Sequence, residues 1–419
     1  MVNVRVLLCA LAAQTALALH PVDHPIHEGH GLASLGEPDK PIRQTTYPSV
    51  MLHRESNEKI LKHIDIERMN ETMSTLTYLN NRYYKSATGV QASDWIFEKV
   101  KRYSGTFKIQ RFRHSWPQRS IDVQISEGNG AKRQDKRVII VGAHMDSVNR
   151  FNATGEAPGA DDNASGVAVL LEALYLLLRD QKTKHFTNQV HFHFYSGEEA
   201  GLLGSKEILQ QYAKDGVDVV AVLNQDMTGR GDTDPRMFTM ITDYVYTPLN
   251  NFILEVVKSY TKFGVKEWAC RYACSDHASA ARNGFPAAFI SHGEIAETAT
   301  DYIHTTNDTL EHINYDQMSE HVKLVLGFVL ELGFADFAAA PAATQTETQT
   351  ETQTETQTET QTETQTETQT ETNAHPKTQT GTQTEEPYEE VTEAVTETKT
   401  GTKATGTPAP KTTADTDDF

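Results

Sequence analysis

The 419-residue chain has only three cysteines, no second apolar run like the one at its start, and no cluster of basic residues. Each scarcity excludes something. A membrane helix needs roughly 18–20 consecutive apolar residues, and the one run that approaches this, in MVNVRVLLCALAAQTALA, is too short. With Arg5 ahead of it and Ala16-Leu17-Ala18 behind, it reads as a secretory signal peptide cleaved after Ala18. The expectation is therefore a soluble, secreted, extracellular protein with no membrane partner. The lack of a basic patch removes nucleic acid as a partner. Cys9 would leave with the signal, so Cys270 and Cys274 remain. An even pair in an exported chain reads as a disulfide, here closing the short loop CRYAC. So short a loop restricts little chain entropy, so the bridge would fix local shape more than global stability.

Charge is unevenly spread. From Thr344 onward 16 acids face four lysines, which places −12 of the formal −19 in the tail. That tail opens with TQTE repeats and has almost no apolar residues, so it cannot bury a core and is expected to be disordered, with threonines open to O-glycosylation. Residues 19–63 form a leader rich in Pro, His and Gly, with His20, His24, His27 and His30, and are a candidate pro-segment that would make the protein a zymogen. The expected division is signal peptide 1–18, leader 19–63, globular domain 64–338 and tail 339–419.

Within the domain, strand patterns alternate with helix patterns. Helical patterns begin at about Ile64 and include ASDWIFEKVKRY (Ala92–Tyr103), with Ser93 and Asp94 as caps. Strands are expected at Thr106–Phe112, Ser120–Ile125, Arg137–His144, Asn188–Ser196, Val217–Gln225 and Phe285–Ser291. Helices are expected at Gly166–Arg179, Gly201–Ala213, Thr247–Phe263, from Asp276, and at Tyr315–Phe337. Such alternation argues for an α/β fold with a mainly parallel sheet covered on both faces, whose sites lie beyond the carboxyl ends of the strands.

Acids and histidines gather at those ends. RVIIVGAHMDS supplies His144 and Asp146, PGADDNASG supplies Asp161 and Asp162, and HFHFYSGEEAG supplies Glu198 and Glu199. VVAVLNQDMTG adds Asp226 and DYIHTTNDT adds His304. Singly, each has a plain reading: Ser196 with Glu199 fits a helix capping box, and an Asp after a strand is usually a turn residue. Together they would repel and desolvate one another unless a cation sat among them. Two imidazoles with several carboxylates suit zinc, cobalt or manganese. Two ions sharing one carboxylate need five ligands, the number these segments provide. His191 and His193, at spacing two in HFHF, lie before the strand end and read as core polar residues. Asp276 and His277 open a helix that Ser275 or Asp276 would cap.

The motifs HMDS, GADDNASG, SGEEAGLLGS, LNQDMTG, CRYACSDHAS and IHTTNDTL, in this order, resemble the secreted zinc-dependent aminopeptidases of the bacterial and fungal leucyl-aminopeptidase branch. The likeness runs from about Ile64 to Phe337 and includes NRYYKSATGVQASDWI. It implies a three-layer α/β/α, phosphorylase/hydrolase-like fold with a mixed, mostly parallel central sheet, and two Zn2+ per monomer. One ion would be held by His144, Asp161 and Asp226, the other by Asp161, Glu199 and His304, with Asp161 bridging. Asp162 would stand outside the ligand set, joined to Asp161 by a cis peptide. Asp146, two residues past His144, is placed to receive that ring's second N–H. Glu198 would be the general base, and Tyr272, on the loop shaped by the disulfide, would stabilise the tetrahedral intermediate. The partners implied are peptides with a free N-terminus, preferably leucine or another bulky apolar residue, acted on by a monomer. A same-fold dipeptidase, a glutaminyl cyclase, or a non-catalytic binding ectodomain are the competing readings. Of four glycosylation sequons, Asn70 and Asn152 are candidates, whereas Asn163 and Asn307 lie inside site motifs.

Overall fold

The computed structural model describes residues 40–125, 137–231, 236–293 and 302–337. The signal peptide, the leader up to residue 39 and the tail from 339 lie outside the described residues. Eight strands form one sheet: β1 (Lys108–Phe112), β2 (Ser120–Ile125), β3 (Val138–His144), β4 (Gln189–Tyr195), β5 (Val219–Gln225), β6 (Met237–Ile241), β7 (Gly264–Trp268) and β8 (Ala287–His292). Their order is β1-β2-β4-β3-β5-β8-β6-β7. The middle four, β4, β3, β5 and β8, run parallel. Their residues are buried throughout, as strands covered on both faces must be. The β1-β2-β4 edge is antiparallel, and β6 joins β8 antiparallel while pairing in parallel with β7. The sheet is thus mixed, with a parallel centre.

Among the described residues eight α-helices accompany it: α1 (Arg54–Leu61), α2 (Ile66–Thr77), α3 (Ala87–Lys101), α4 (Gly166–Arg179), α5 (Leu203–Lys214), α6 (Thr247–Tyr260), α7 (His277–Arg282) and α8 (Tyr315–Gly333). α2, α4, α6 and α8 pack on one face, and α5 and α7 on the other. α4 is apolar nearly all round because the sheet lies on one side and α8 on the other. Burying each of its leucines contributes about 1.5–3 kcal/mol. Its one buried acid, Glu172, is paired with Arg68 at 2.7 Å and accepts the Asp65 N–H, so no lone charge is left in the core.

Three features differ from the sequence expectations or add to them. α3 begins at Ala87, well before Ser93, because the Ser86 hydroxyl accepts the Gly89 N–H at 2.9 Å. Gly89 is required there, since a Cβ would stand 2.1 Å from the Tyr83 carbonyl oxygen. Ser93 instead donates to the Arg119 carbonyl and Asp94 pairs with Arg111. Second, β6 and β7 were not expected; β7, GVKEW, is a largely exposed edge strand with no buried face to leave an alternating signature. Third, residues 40–63 are packed on the domain. Arg43 bonds the Gly284 carbonyl and Asp218, Tyr47 donates to the Val220 carbonyl, and the N–H groups of Leu52 and His53 donate to Glu331.

Candidate active site

The three parallel strands β4, β3 and β5 end side by side, and their exits carry the acids. His144 closes β3, Glu198 and Glu199 follow β4, and Asp226 follows β5. The turn Ala160–Ser165 before α4 adds Asp162, and the loop before α8 adds His304. His144 Nε2 lies 3.1 Å from Asp162 Oδ1 and 3.3 Å from Asp226 Oδ1. His304 Nε2 lies 3.0 Å from Asp162 Oδ2 and 2.8 Å from Glu199 Oε2. Two three-donor groups therefore meet at one carboxylate, His144-Asp162-Asp226 and Asp162-Glu199-His304.

That shared carboxylate is Asp162, where the sequence reading placed Asp161. Asp161 points the other way and is fully engaged: Oδ1 accepts the N–H groups of Gly229 and Arg230, and Oδ2 accepts from the Tyr302 hydroxyl and lies 2.9 Å from His292 Nε2. The cis peptide, likewise, is Asp162–Asn163 and not Asp161–Asp162. Asp308 holds both residues, accepting the Asp161 N–H at 2.8 Å and the Asp162 N–H at 2.9 Å.

Asp146 has a further task. Its carboxylate accepts the N–H groups of Glu198 and Glu199 at 3.0 and 3.2 Å and so fixes the turn that carries them. Its oxygen is 3.6 Å from His144 Nδ1, which lies nearer, at 3.2 Å, to the Asp146 backbone carbonyl. Ser196 forms no capping box: α5 starts only at Leu203, and the Ser196 hydroxyl donates to Gln118. Neither Ser275 nor Asp276 caps α7 by side chain; Ser275 donates to Asp226 Oδ2 at 2.6 Å and is itself held by Asn224. The Cys270–Cys274 disulfide is present, with Cα atoms 6.1 Å apart, and Tyr272 within its loop is 56% exposed.

The donor types of the two groups, imidazole and carboxylate with no thiolate, suit zinc. Glu199 Oε1 is buried with no hydrogen-bond partner, as an oxygen aimed at a cation would be. Residues 125–329 match peptidase family M28. A probable leucine aminopeptidase of Trichophyton verrucosum is 39% identical over 294 residues, covering 69% of this chain and 79% of that protein.

The chain belongs to peptidase family M28. Leucine aminopeptidase 1 of Metarhizium robertsii is 38% identical over 307 residues, 70% of this chain and 76% of that one. Among solved structures, the LapA aminopeptidase of Legionella pneumophila superposes with a TM-score of 0.62 at 28% identity, over 70% of this chain and 78% of that one. This M28 protein is a hydrolytic metallo-aminopeptidase.

The electrostatics separate the two adjacent glutamates. Burial, reinforced by Asp276, Glu199 and Asp226 and opposed by His144, pushes the Glu198 carboxyl well above the usual range. Burial, opposed by His304, pushes Glu199 up to about 7. Glu199 touches an imidazole directly, whereas Glu198 belongs to neither donor group. Burial also raises the Tyr272 hydroxyl to about 12, with the charges of Glu198 and Asp162 adding to it.

The supporting residues gave weak sequence signals. Arg82, wholly buried, donates to the carbonyls of Met145, Pro158 and Gly159 and ties the His144 strand exit to the Asp161–Asp162 turn. Only its place in NRYYKS hinted at a role. His304 stands at φ 56°, in the left-handed region that non-glycine residues rarely adopt, and the Arg150 N–H donates to its carbonyl. His191 and His193 sit mid-strand, His191 beside Tyr212 and Asp122, and His193 beside Tyr195 and Asp122.

Proposed function

We propose that this protein is a secreted di-zinc aminopeptidase that removes N-terminal leucine and other bulky apolar residues from peptides. The observation that carries the reading is the pair of three-donor groups sharing Asp162, with Glu198 beside them and in neither. His144, Asp162 and Asp226 would hold one zinc, and Asp162, Glu199 and His304 the other. When bound, the ions supply Lewis acidity and lower the pKa of water in the site towards neutrality. Glu198 takes the proton from the attacking water and passes it to the departing amine, a task suited to a carboxyl raised above its usual range. The Tyr272 hydroxyl, raised and therefore protonated at neutral pH, donates to the oxygen of the tetrahedral intermediate. A free α-amine is welcome among these acids and an internal peptide offers none, which supports an exopeptidase.

Leucine preference rests on the names of the fungal relatives. The two complete donor groups favour this reading over a one-zinc cyclase or a non-catalytic module. Asn152, exposed on the loop after β3, is the better glycan acceptor; Asn70 is half-buried and accepts from the Tyr315 hydroxyl. Hydrolysis of leucine-p-nitroanilide should stop on chelation and return with zinc, and an N-acetylated leucine substrate should resist. Equal rates before and after chelation would contradict the metal mechanism. N-terminal sequencing of protein recovered from medium should find a start at or after Leu19.

A further inference from the structure

A third group of histidine and carboxylate side chains lies in the middle of the sheet. Asp122 of β2 stands opposite His193 of β4, and Gln124 stands opposite His191. Spacing two on both strands puts all four side chains on one face. That face is the one covered by α5: Ile140, which pairs with His191 from β3, packs in the same apolar cluster as Tyr212 of α5. Asp122 and His193 are 0% exposed and His191 is 2% exposed.

A carboxylate this deeply buried requires a positive partner. Either a protonated imidazole bonds it directly or a metal ion stands between them. The distances fit the ion. Charge-assisted N–H···O bonds run about 2.7–2.9 Å. Here His191 Nδ1 and His193 Nε2 both lie 3.4 Å from the same oxygen, Asp122 Oδ1, and that oxygen accepts no hydrogen bond. Zinc–nitrogen and zinc–oxygen bonds of about 2.0–2.1 Å on a tetrahedral ion set neighbouring ligand atoms about 3.4 Å apart. A fourth corner is present. The Tyr212 hydroxyl oxygen is 3.1 Å from His191 Nδ1 and 3.4 Å from His193 Nε2, while its proton is donated to the other Asp122 oxygen, Oδ2, at 3.1 Å.

The surrounding bonds are those that metal-bound imidazoles make with their second nitrogen. His193 Nδ1 lies 3.0 Å from the Tyr195 hydroxyl, and His191 Nε2 lies 3.5 Å from Gln189 Oε1. The second Asp122 oxygen accepts from Gln110 at 3.0 Å and Gln124 at 2.5 Å. Tyr195 reaches His193 because β3 carries Gly142 there; a Cβ on it would stand 2.5 Å from the Tyr195 ring.

We propose that Asp122, His191 and His193, closed by the Tyr212 hydroxyl, bind one structural divalent transition-metal ion, zinc by its donor set, separate from the catalytic centre. With four protein ligands the site has no position for substrate. The ion's work is to pin β2, β4 and α5 together.

Metal content per chain of the purified full-length protein, measured by elemental mass spectrometry, tests this. Asp122→Asn, which keeps the shape and hydrogen bonds but weakens the ligand, should carry one ion fewer than wild type, unfold at lower temperature and keep its kcat. Asp162→Ala, which removes the shared catalytic ligand, should still hold one ion that native dialysis against EDTA does not strip. Cobalt loaded into Asp162→Ala should give the visible absorption of a tetrahedral site, absent in Asp162→Ala/His193→Gln. Equal metal content in wild type and Asp122→Asn, or no ion in Asp162→Ala, would overturn the proposal and leave a plain hydrogen-bonded network. These counts do not depend on which peptides the enzyme cleaves.

Discussion

At the strand ends, His144, Asp162, Glu199, Asp226 and His304 arrive from five separate exits and loops, whereas Asp122, His191 and His193 arrive from two paired strands. The donor types are the same and the settings are opposite. Strand register fixes the inner group two residues apart on one face, and the Tyr212 hydroxyl donates to its Asp122. Loops fix the outer group, so its geometry rests on other parts of the chain: Asp308 under the Asp161–Asp162 turn, Asp146 under Glu198 and Glu199, and Ser275 against Asp226. A site built on exits can share a carboxylate and remain open on the solvent side, as the 23% exposure of His304 indicates. A site built inside a sheet is rigid and shut. Chemistry belongs to the first and stability to the second.

The sharpest way to break this comparison is to exchange the neighbouring aspartates. Asp162→Ala should lose both catalytic ions and all measurable turnover. Asp161→Asn, which disturbs only the Gly229, Arg230, Tyr302 and His292 contacts, should keep the ions and lose about 10–100-fold in activity, the usual effect of an outer partner. Metal analysis beside steady-state kinetics checks both, and the reverse ranking would restore Asp161 as the shared ligand. Tyr272→Phe should lower kcat by about 10²-fold with metal content unchanged, as expected for one lost donor to the developing oxyanion. Asp308→Asn should cost about 10-fold in zinc affinity, because its two backbone contacts hold the ligand turn.

The smallest effect concerns pH and stability. Burial depresses His277 to about 4 and His321 to about 3, so both are neutral in the fold. The unfolded chain binds protons at these imidazoles below about pH 6.5 while the folded chain does not. Stability is therefore full above that value and falls as pH drops towards 4, by on the order of 3 kcal/mol for His277. Thermal unfolding between pH 4 and 7 should show this slope, and His277→Gln should flatten it.

The elements most legible in the sequence are those whose pattern depends on burial alone. GVAVLLEALYLLLR is a helix over its whole length because every face of it is covered, and the parallel strands read as apolar runs for the same reason. β7 was invisible because nothing covers it. For the site, the strand-exit rule located His144, Glu199 and Asp226, but adjacency defeated the choice between Asp161 and Asp162. Both precede the same helix, and the turn's backbone, set by Asp308 from nearly 150 residues away, decides which one faces the cluster. His191 and His193 read as core polar residues because their partner, Asp122, lies on a strand about 70 residues earlier that no local pattern connects to them.

The division of labour between the adjacent glutamates is the centre of this account, and one measurement addresses it. Zinc content and kcat should be determined for Glu198→Ala and Glu199→Ala side by side. Glu198→Ala should keep the wild-type zinc content while kcat falls by about 10³-fold or more, the loss of a general base. Glu199→Ala should lose one zinc together with its turnover. Equal loss of zinc in the two variants would contradict the assignment of one glutamate as base and the other as ligand.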